Sequence, residues 1–132
     1  MDGDHKPGLA HGEDLTNRII AAAMRVHRRL GPGLLESIYE ACLCHELEKA
    51  AIPFQRQVPL PVIYDDVRLG CAYVADVVVA GQVILEIKSV DRIVPLHESQ
   101  LLTYLRLTPC RIGLLLNFNT VVLKSGIKRC VV

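Results

Sequence analysis

The sequence predicts an α/β or α+β domain built on one mixed sheet with helices over both of its faces. Two stretches with apolar residues at helical spacing open the chain, runs rich in valine, isoleucine and leucine follow, and a third helical stretch interrupts those runs. The strand-like runs are apolar on both sides, so both faces need cover, and the three helices are the material available. At 132 residues the chain is long enough for one domain with a real core and too short for two ordinary ones. That domain is expected over residues 13–132.

Residues 1–12, with three glycines and a proline and no periodicity, read as a tail. From Asp14 the pattern changes: Ile19, Ala22, Ala23, Val26 and Leu30 recur at helical spacing, and Gly31-Pro32-Gly33 ends the segment. A second helix is predicted from about Leu34 to Ala50, with Leu35, Ile38 and Cys42 as its apolar stripe. Leu43 and Leu47 extend a second stripe whose N-terminal member is Glu36. FQRQVPLPVIY alternates imperfectly and carries two prolines, best tolerated on an edge strand. Asp65-Asp66 reads as a turn leading through VRLGCAY into VADVVV, and QVILEIKSV follows a short loop containing Gly81. Residues 95–108 read as a helix with Pro95 in its first turn, where the missing N–H costs nothing. RIGLLLNF and TVVLKSGIKRCVV close the chain, the latter bending at Ser125-Gly126.

Composition narrows the function classes. No run approaches the ~18 to 20 apolar residues of a membrane span, and the polar N-terminus carries no secretory core. The expectation is a soluble protein of the cytoplasm with no membrane partner. Five cysteines make an odd count without a CxxC pair, so most of them are expected as small core residues. Cys42, Cys44 and His45 are too nearly contiguous for a zinc site. A formal net charge of +1 gives no global basic excess. The most visible local cluster is Arg18, Arg25, Arg28 and Arg29, of which Arg18, Arg25 and Arg29 share one helical face; it reads as an ordinary solvated surface.

Chemistry concentrates in VADVVVAGQVILEIKSV, where Asp76, Glu86 and Lys88 interrupt an apolar background. Glu86 and Lys88 point to one face of their strand and Ile87 to the other. Whether Asp76 joins them depends on the hairpin loop. A two-residue loop, Gly81-Gln82, separates the carboxylates. Either three-residue loop, Ala80-Gly81-Gln82 or Val79-Ala80-Gly81, unites all three charges on one face, and the second puts Gly81 in the left-handed position such loops favour. Two carboxylates about 5 Å apart repel by roughly 3 kcal/mol at an effective dielectric near 20. They persist together only with a cation between them or one proton retained. Hard oxygen ligands of this kind suit Mg²⁺ or Mn²⁺, and Lys88 would then stabilise a phosphate or orient water. Glu36, on a partly buried helical stripe, offers a further acid. Gln100 lines up with His97, Thr103, Tyr104 and Leu107 in a polar stripe.

These residues carry a resemblance. GLLESIY, with Gly33, Glu36 and Tyr39, matches the signature of the GxxExxY proteins, which belong to the PD-(D/E)XK nuclease-like superfamily. The match runs from about Asp14 to the C-terminus through FQRQVPLPVIY, Asp76, Glu86-Ile87-Lys88 and HESQLLTYLRL. The resemblance implies a restriction-endonuclease-like core, a central mixed sheet flanked by helices, with Asp76, Glu86 and the Ile87 carbonyl binding Mg²⁺ or Mn²⁺. It implies catalytic work for Glu36, Asp76, Glu86, Lys88 and Gln100 on the phosphodiester bonds of DNA or RNA. Relatives usually carry an arginine where this chain has Val74, a position that the simple pairing puts on the active face. The alternative function is a non-catalytic nucleic-acid or protein binding module that keeps the fold. A domain this small offers little surface for gripping a duplex, which leaves room for a homodimer.

Overall fold

The computed structural model describes residues 9–132. In chain order the elements are α1 (Leu9–Leu30), α2 (Glu36–Lys49), β1 (Phe54–Tyr64), β2 (Val67–Val79), β3 (Val83–Lys88), α3 (Pro95–Arg106), β4 (Ile112–Asn117) and β5 (Ile127–Val131). The strands form one mixed sheet in the order β1-β2-β3-β4-β5, in which β3 and β4 are parallel and the other neighbours antiparallel. β1 is the edge strand that its prolines required, with register shifts on both sides of Pro61. Among the described residues no helix is long and apolar enough to cross a membrane.

Each face has its own core. On one, Ile19, Ala22, Ala23 and Val26 of α1 and Tyr39, Leu43 and Leu47 of α2 pack on Val77, Val79, Val83, Leu85 and Ile87. On the other, Leu101, Tyr104 and Leu105 of α3 pack on Val78, Ile84 and Leu115. The two-sided apolar strands are thus covered as their composition demanded. Cys44, Cys110 and Cys130 are buried within these cores.

Helix α1 begins at Leu9, before the periodicity starts. Residues 1–8 of the expected tail lie outside the described residues. Gly12 lies so close to β4 that a Cβ there would stand 2.6 Å from the Ile112 Cδ1, and its carbonyl accepts a 2.7 Å hydrogen bond from the Thr16 hydroxyl. Such packing has no signature in apolar spacing.

Of the two stripes expected on α2, the second, with Leu43 and Leu47, is the buried one. Leu35 is 70% exposed and Ile38 also faces outward, while Tyr39, Leu43 and Leu47 are fully buried. Tyr39 sets this rotation: its ring stacks on Phe118 with centroids 4.5 Å apart. Its hydroxyl donates to the Gly31 carbonyl at 2.6 Å and accepts from the Leu34 N–H at 3.1 Å. A large ring with both a stacking partner and two hydrogen bonds outweighs a leucine at the helix margin.

The two hairpins differ. Asp65-Asp66, with φ of 49° and 63°, makes the tight left-handed turn that joins β1 to β2. In the β2–β3 hairpin Val79 pairs with Val83, so the loop is Ala80-Gly81-Gln82 and not the version ending at Gly81. The reason is that Ala80 is itself left-handed, at φ 52°, ahead of Gly81 at 64°. The Gln82 N–H then closes the turn on the Val79 carbonyl at 2.9 Å. At the other end of the chain, TVVLKSG is not a strand: Leu123–Gly126 form a single 3₁₀ turn before β5. Gly126 there leaves no room for a Cβ beside the Asn117 carbonyl.

Helix α3 approaches the sheet most closely at Gly113, where a Cβ would lie 2.8–2.9 Å from three side-chain atoms of the buried Leu101. Gly113→Ala is expected to destabilise the domain by about 1–3 kcal/mol through overpacking, read as a lower urea midpoint. Adding Leu101→Ala should recover part of that specific loss, measured as non-additivity of the two changes.

Candidate active site

The β2–β3 ladder stops at Val77 opposite Leu85. Continuing the register puts Asp76 opposite Glu86. There side chains take over from the backbone: the Asp76 N–H donates to Glu86 Oε2 at 2.8 Å, and the Ile87 N–H donates to Asp76 Oδ2 at 2.8 Å. Each carboxylate thus caps a strand amide of its partner's strand, leaving Asp76 Oδ1 and Glu86 Oε1 outside the exchange. An odd-numbered loop therefore brings the two acids together, as the alternation required. Ile87 contributes its N–H here while its side chain packs in the α1–α2 core. Lys88, half-buried, sits one residue beyond in β3, paired with Asn117 of β4.

Glu36 is near but separate. From the first turn of α2 its Oε2 accepts the Ser89 N–H at 3.2 Å, while the Ser89 hydroxyl donates to the Leu34 carbonyl at 2.6 Å. It ties the segment after Lys88 to the start of α2. Gln100 lines a cavity of about 260 Å³ with Tyr73, Leu96, Ser99 and Thr103. That cavity adjoins Tyr104, whose ring centroid is 5.4 Å from that of Tyr73. The expected polar stripe of α3 is not continuous: Tyr104 is buried, and the His97 Nδ1 accepts the Val94 N–H at 3.1 Å.

A comparison with protein families matches residues 13–130 to the PD-(D/E)XK nuclease superfamily. The chain belongs to that superfamily. Comparison with curated proteins and with solved structures gives no significant match. The match spans α1 but for its first four residues, all of α2 and α3, and the whole sheet but its last residue, so it agrees with the mixed sheet seen here.

Within this superfamily member the acids sit in an unfavourable place for charge. Glu86 is 5% exposed, and its carboxyl is pushed up to about 8, first by burial and then by the charge of Asp76. Asp76 is also raised, by burial first, with Glu40 and Glu36 adding to it; the bond from Ile87 and the charge of Lys88 oppose the rise. The hydroxyl of Tyr104 goes up to about 12 through burial and the two carboxylates. One positive charge therefore leaves the pair undercompensated. This donor set fits a divalent cation: hard oxygens, crowded and desolvated, gaining most from a doubly charged partner. Among the described residues no third His, Cys, Asp or Glu side chain joins them as a metal cluster.

Val74 does not lie where uniform alternation placed it. Val77 and Val79 face α1 and α2, but Tyr73 and Ala75 pack toward α3, so β2 reverses its facing near Asp76. Val74 alternates with Tyr73 and Ala75 and does not share their side. Nor is the arginine face of α1 free: Arg25 pairs with Glu46 at 3.0 Å, and Arg18 donates to the Ala50 carbonyl at 3.1 Å.

Two residues escaped sequence reasoning. Glu40, buried on α2, accepts from Arg56 and Gln57 of β1. Its position one turn beyond Glu36 is the only signal that singled it out. Asn117, 1% exposed, receives the Val90 N–H at 3.1 Å and donates to the Val90 carbonyl at 2.9 Å. A polar residue closing the apolar run RIGLLLNF was its visible mark.

The raised Glu86 carboxyl gives the metal-free protein a pH dependence. Its folded pKa, about 8, lies above the ordinary glutamate value of 4.5, so its contribution to stability is full below pH ~4.5 and is lost as pH rises through ~8. The urea midpoint of metal-free protein should fall between these limits. Glu86→Gln should flatten the fall; an unchanged slope in that variant would remove Glu86 as its source.

Proposed function

We propose that the domain is a divalent-metal-dependent nuclease that hydrolyses phosphodiester bonds of DNA or RNA. The observation that carries this reading is the reciprocal capping of Asp76 and Glu86, which holds two desolvated carboxylates side by side beside a lysine. Asp76 and Glu86, with the Ile87 carbonyl, would hold Mg²⁺ or Mn²⁺. When bound, such an ion neutralises the pair and polarises phosphate and water oxygens.

The remaining work falls to the chain itself. The amides of Asp76 and Ile87 fix one oxygen of each carboxylate, so the other oxygens present a set geometry without reorganisation. Lys88 places a positive charge where a phosphate would gain negative charge, or orients the attacking water. Glu36 supports the site through Ser89, holding the chain just after Lys88. Gln100 supports it from α3, where its cavity adjoins Tyr104. Tyr104, buried and with its hydroxyl held protonated by its surroundings, lies near enough to feel the charge of both carboxylates.

Val74 favours a second reading. Without the cation usual in relatives, the fold could serve as a module that binds a metal or nucleic acid without cutting. Cleavage assays on single- and double-stranded DNA and RNA, with and without Mg²⁺, separate the two. Nuclease function expects Mg²⁺-dependent cleavage that falls by at least about 100-fold in Lys88→Ala; activity unchanged in that variant contradicts the assignment. Metal binding that Asp76→Asn abolishes, without cleavage of any substrate, supports the binding module instead.

A further inference from the structure

We infer that Glu40, Arg56 and Gln57 form a positioning clamp that fixes the point where the β1–β2 ribbon reverses its facing, and so delivers Asp76 to Glu86. In a regular strand successive side chains alternate between faces. Here β2 breaks that rule between Val77, which faces α2, and Ala75, which packs toward α3. β1 breaks it at the same level: Phe54 packs with the α1–α2 core, while Val58 and Leu60 pack toward α3.

The register does not slip across the break. Arg56 pairs with Val77 and Val58 with Ala75, leaving Gln57 and Asp76 facing each other outside the ladder. Both strands therefore change phase together, by a local twist of one residue in each. On β1 the twist is visible as a φ of 50° at Gln57, a conformation that non-glycine residues rarely adopt. On β2 it falls on Asp76, whose N–H turns to Glu86 Oε2 at 2.8 Å.

What holds the twist is a carboxylate on α2. Arg56 donates through Nε and Nη2 to Glu40 Oε2 at 3.1 and 3.0 Å, and Gln57 Nε2 donates to Glu40 Oε1 at 2.9 Å. Two consecutive residues of one strand reach the same carboxylate, which regular alternation forbids. Glu40 is 6% exposed, and a buried acid held on three donors fixes direction more narrowly than an apolar contact would. The clamp touches neither the proposed metal position nor a substrate. It sets where Asp76 stands.

The inference concerns the acids whose use is proposed above, but its primary test needs neither metal nor substrate. In ¹⁵N-labelled, metal-free full-length protein, the amides of Asp76 and Ile87, each bonded to a carboxylate at 2.8 Å, should resonate downfield and exchange slowly. Gln57→Gly, which gives up one bond to Glu40 but keeps the two from Arg56 and tolerates the left-handed backbone, should keep both signatures. Gln57→Val, which does not, should lose the downfield shifts and speed exchange at both amides by at least about ten-fold. Glu40→Leu should do the same, and it decides the matter should Gln57→Val fail to fold. Slow exchange and downfield shifts retained in folded Gln57→Val, or in Glu40→Leu, would overturn the clamp. A parallel Mn²⁺ titration should show about ten-fold weaker binding in Gln57→Val. Wild-type protein that binds no Mn²⁺ would contradict the metal reading, while the amide signatures still judge the clamp.

Discussion

Two hydrogen bonds, from the Asp76 N–H to Glu86 and from the Ile87 N–H to Asp76, are the constraint around which the rest of the structure is arranged. They replace backbone ladder bonds at the point where β2 and β3 part, and they put Glu86 into a nearly dry interior with Asp76 half-buried beside it. Burial drives both carboxyls upward, and proximity adds to the rise for Glu86. Such an arrangement gives up stability locally. A fold keeps it only if the apolar faces around it supply the difference. Here they do so with two cores, one under α1 and α2 and one under α3, meeting at β2 and β3.

Helix α2 links these cores to the acids, and GLLESIY divides the task. Gly33 adopts a φ of 93° in the loop before the helix. Glu36 receives the Ser89 N–H just beyond Lys88, and Tyr39 anchors the loop and stacks on Phe118. One turn further, Glu40 collects Arg56 and Gln57. A single helix thus reaches the chain both after β3 and within β1, on either side of the acid pair in the sheet order. Spacing along α2, more than any one residue, accounts for this reach.

Much of this was legible before the fold was seen. Apolar density in VADVVV and VILEI required cover on both faces, prolines marked β1 as an edge, and strand alternation joined Asp76 to Glu86 once the loop was odd. What was not legible depended on tertiary partners. Leu35 and Ile38 looked like a core stripe because periodicity ignores which side chain finds a stacking partner, and Tyr39 found one. The loop was placed a residue early because Ala80 carries no hint of its left-handed backbone. Val74 was misplaced for a deeper reason: alternation was carried through Asp76, where both strands reverse phase under the pull of Glu40, a residue 16 and 17 positions before the two β1 residues it holds.

The proposed function rests on the crowded pair sharing a divalent cation. Its most direct test is a crystal of the full chain soaked in Mn²⁺ and measured at the manganese absorption edge. Anomalous density is expected between Asp76 and Glu86, lost in Asp76→Asn crystals grown and soaked alike. Mn²⁺ found only at other surface carboxylates, with the Asp76–Glu86 pair unchanged, would contradict it.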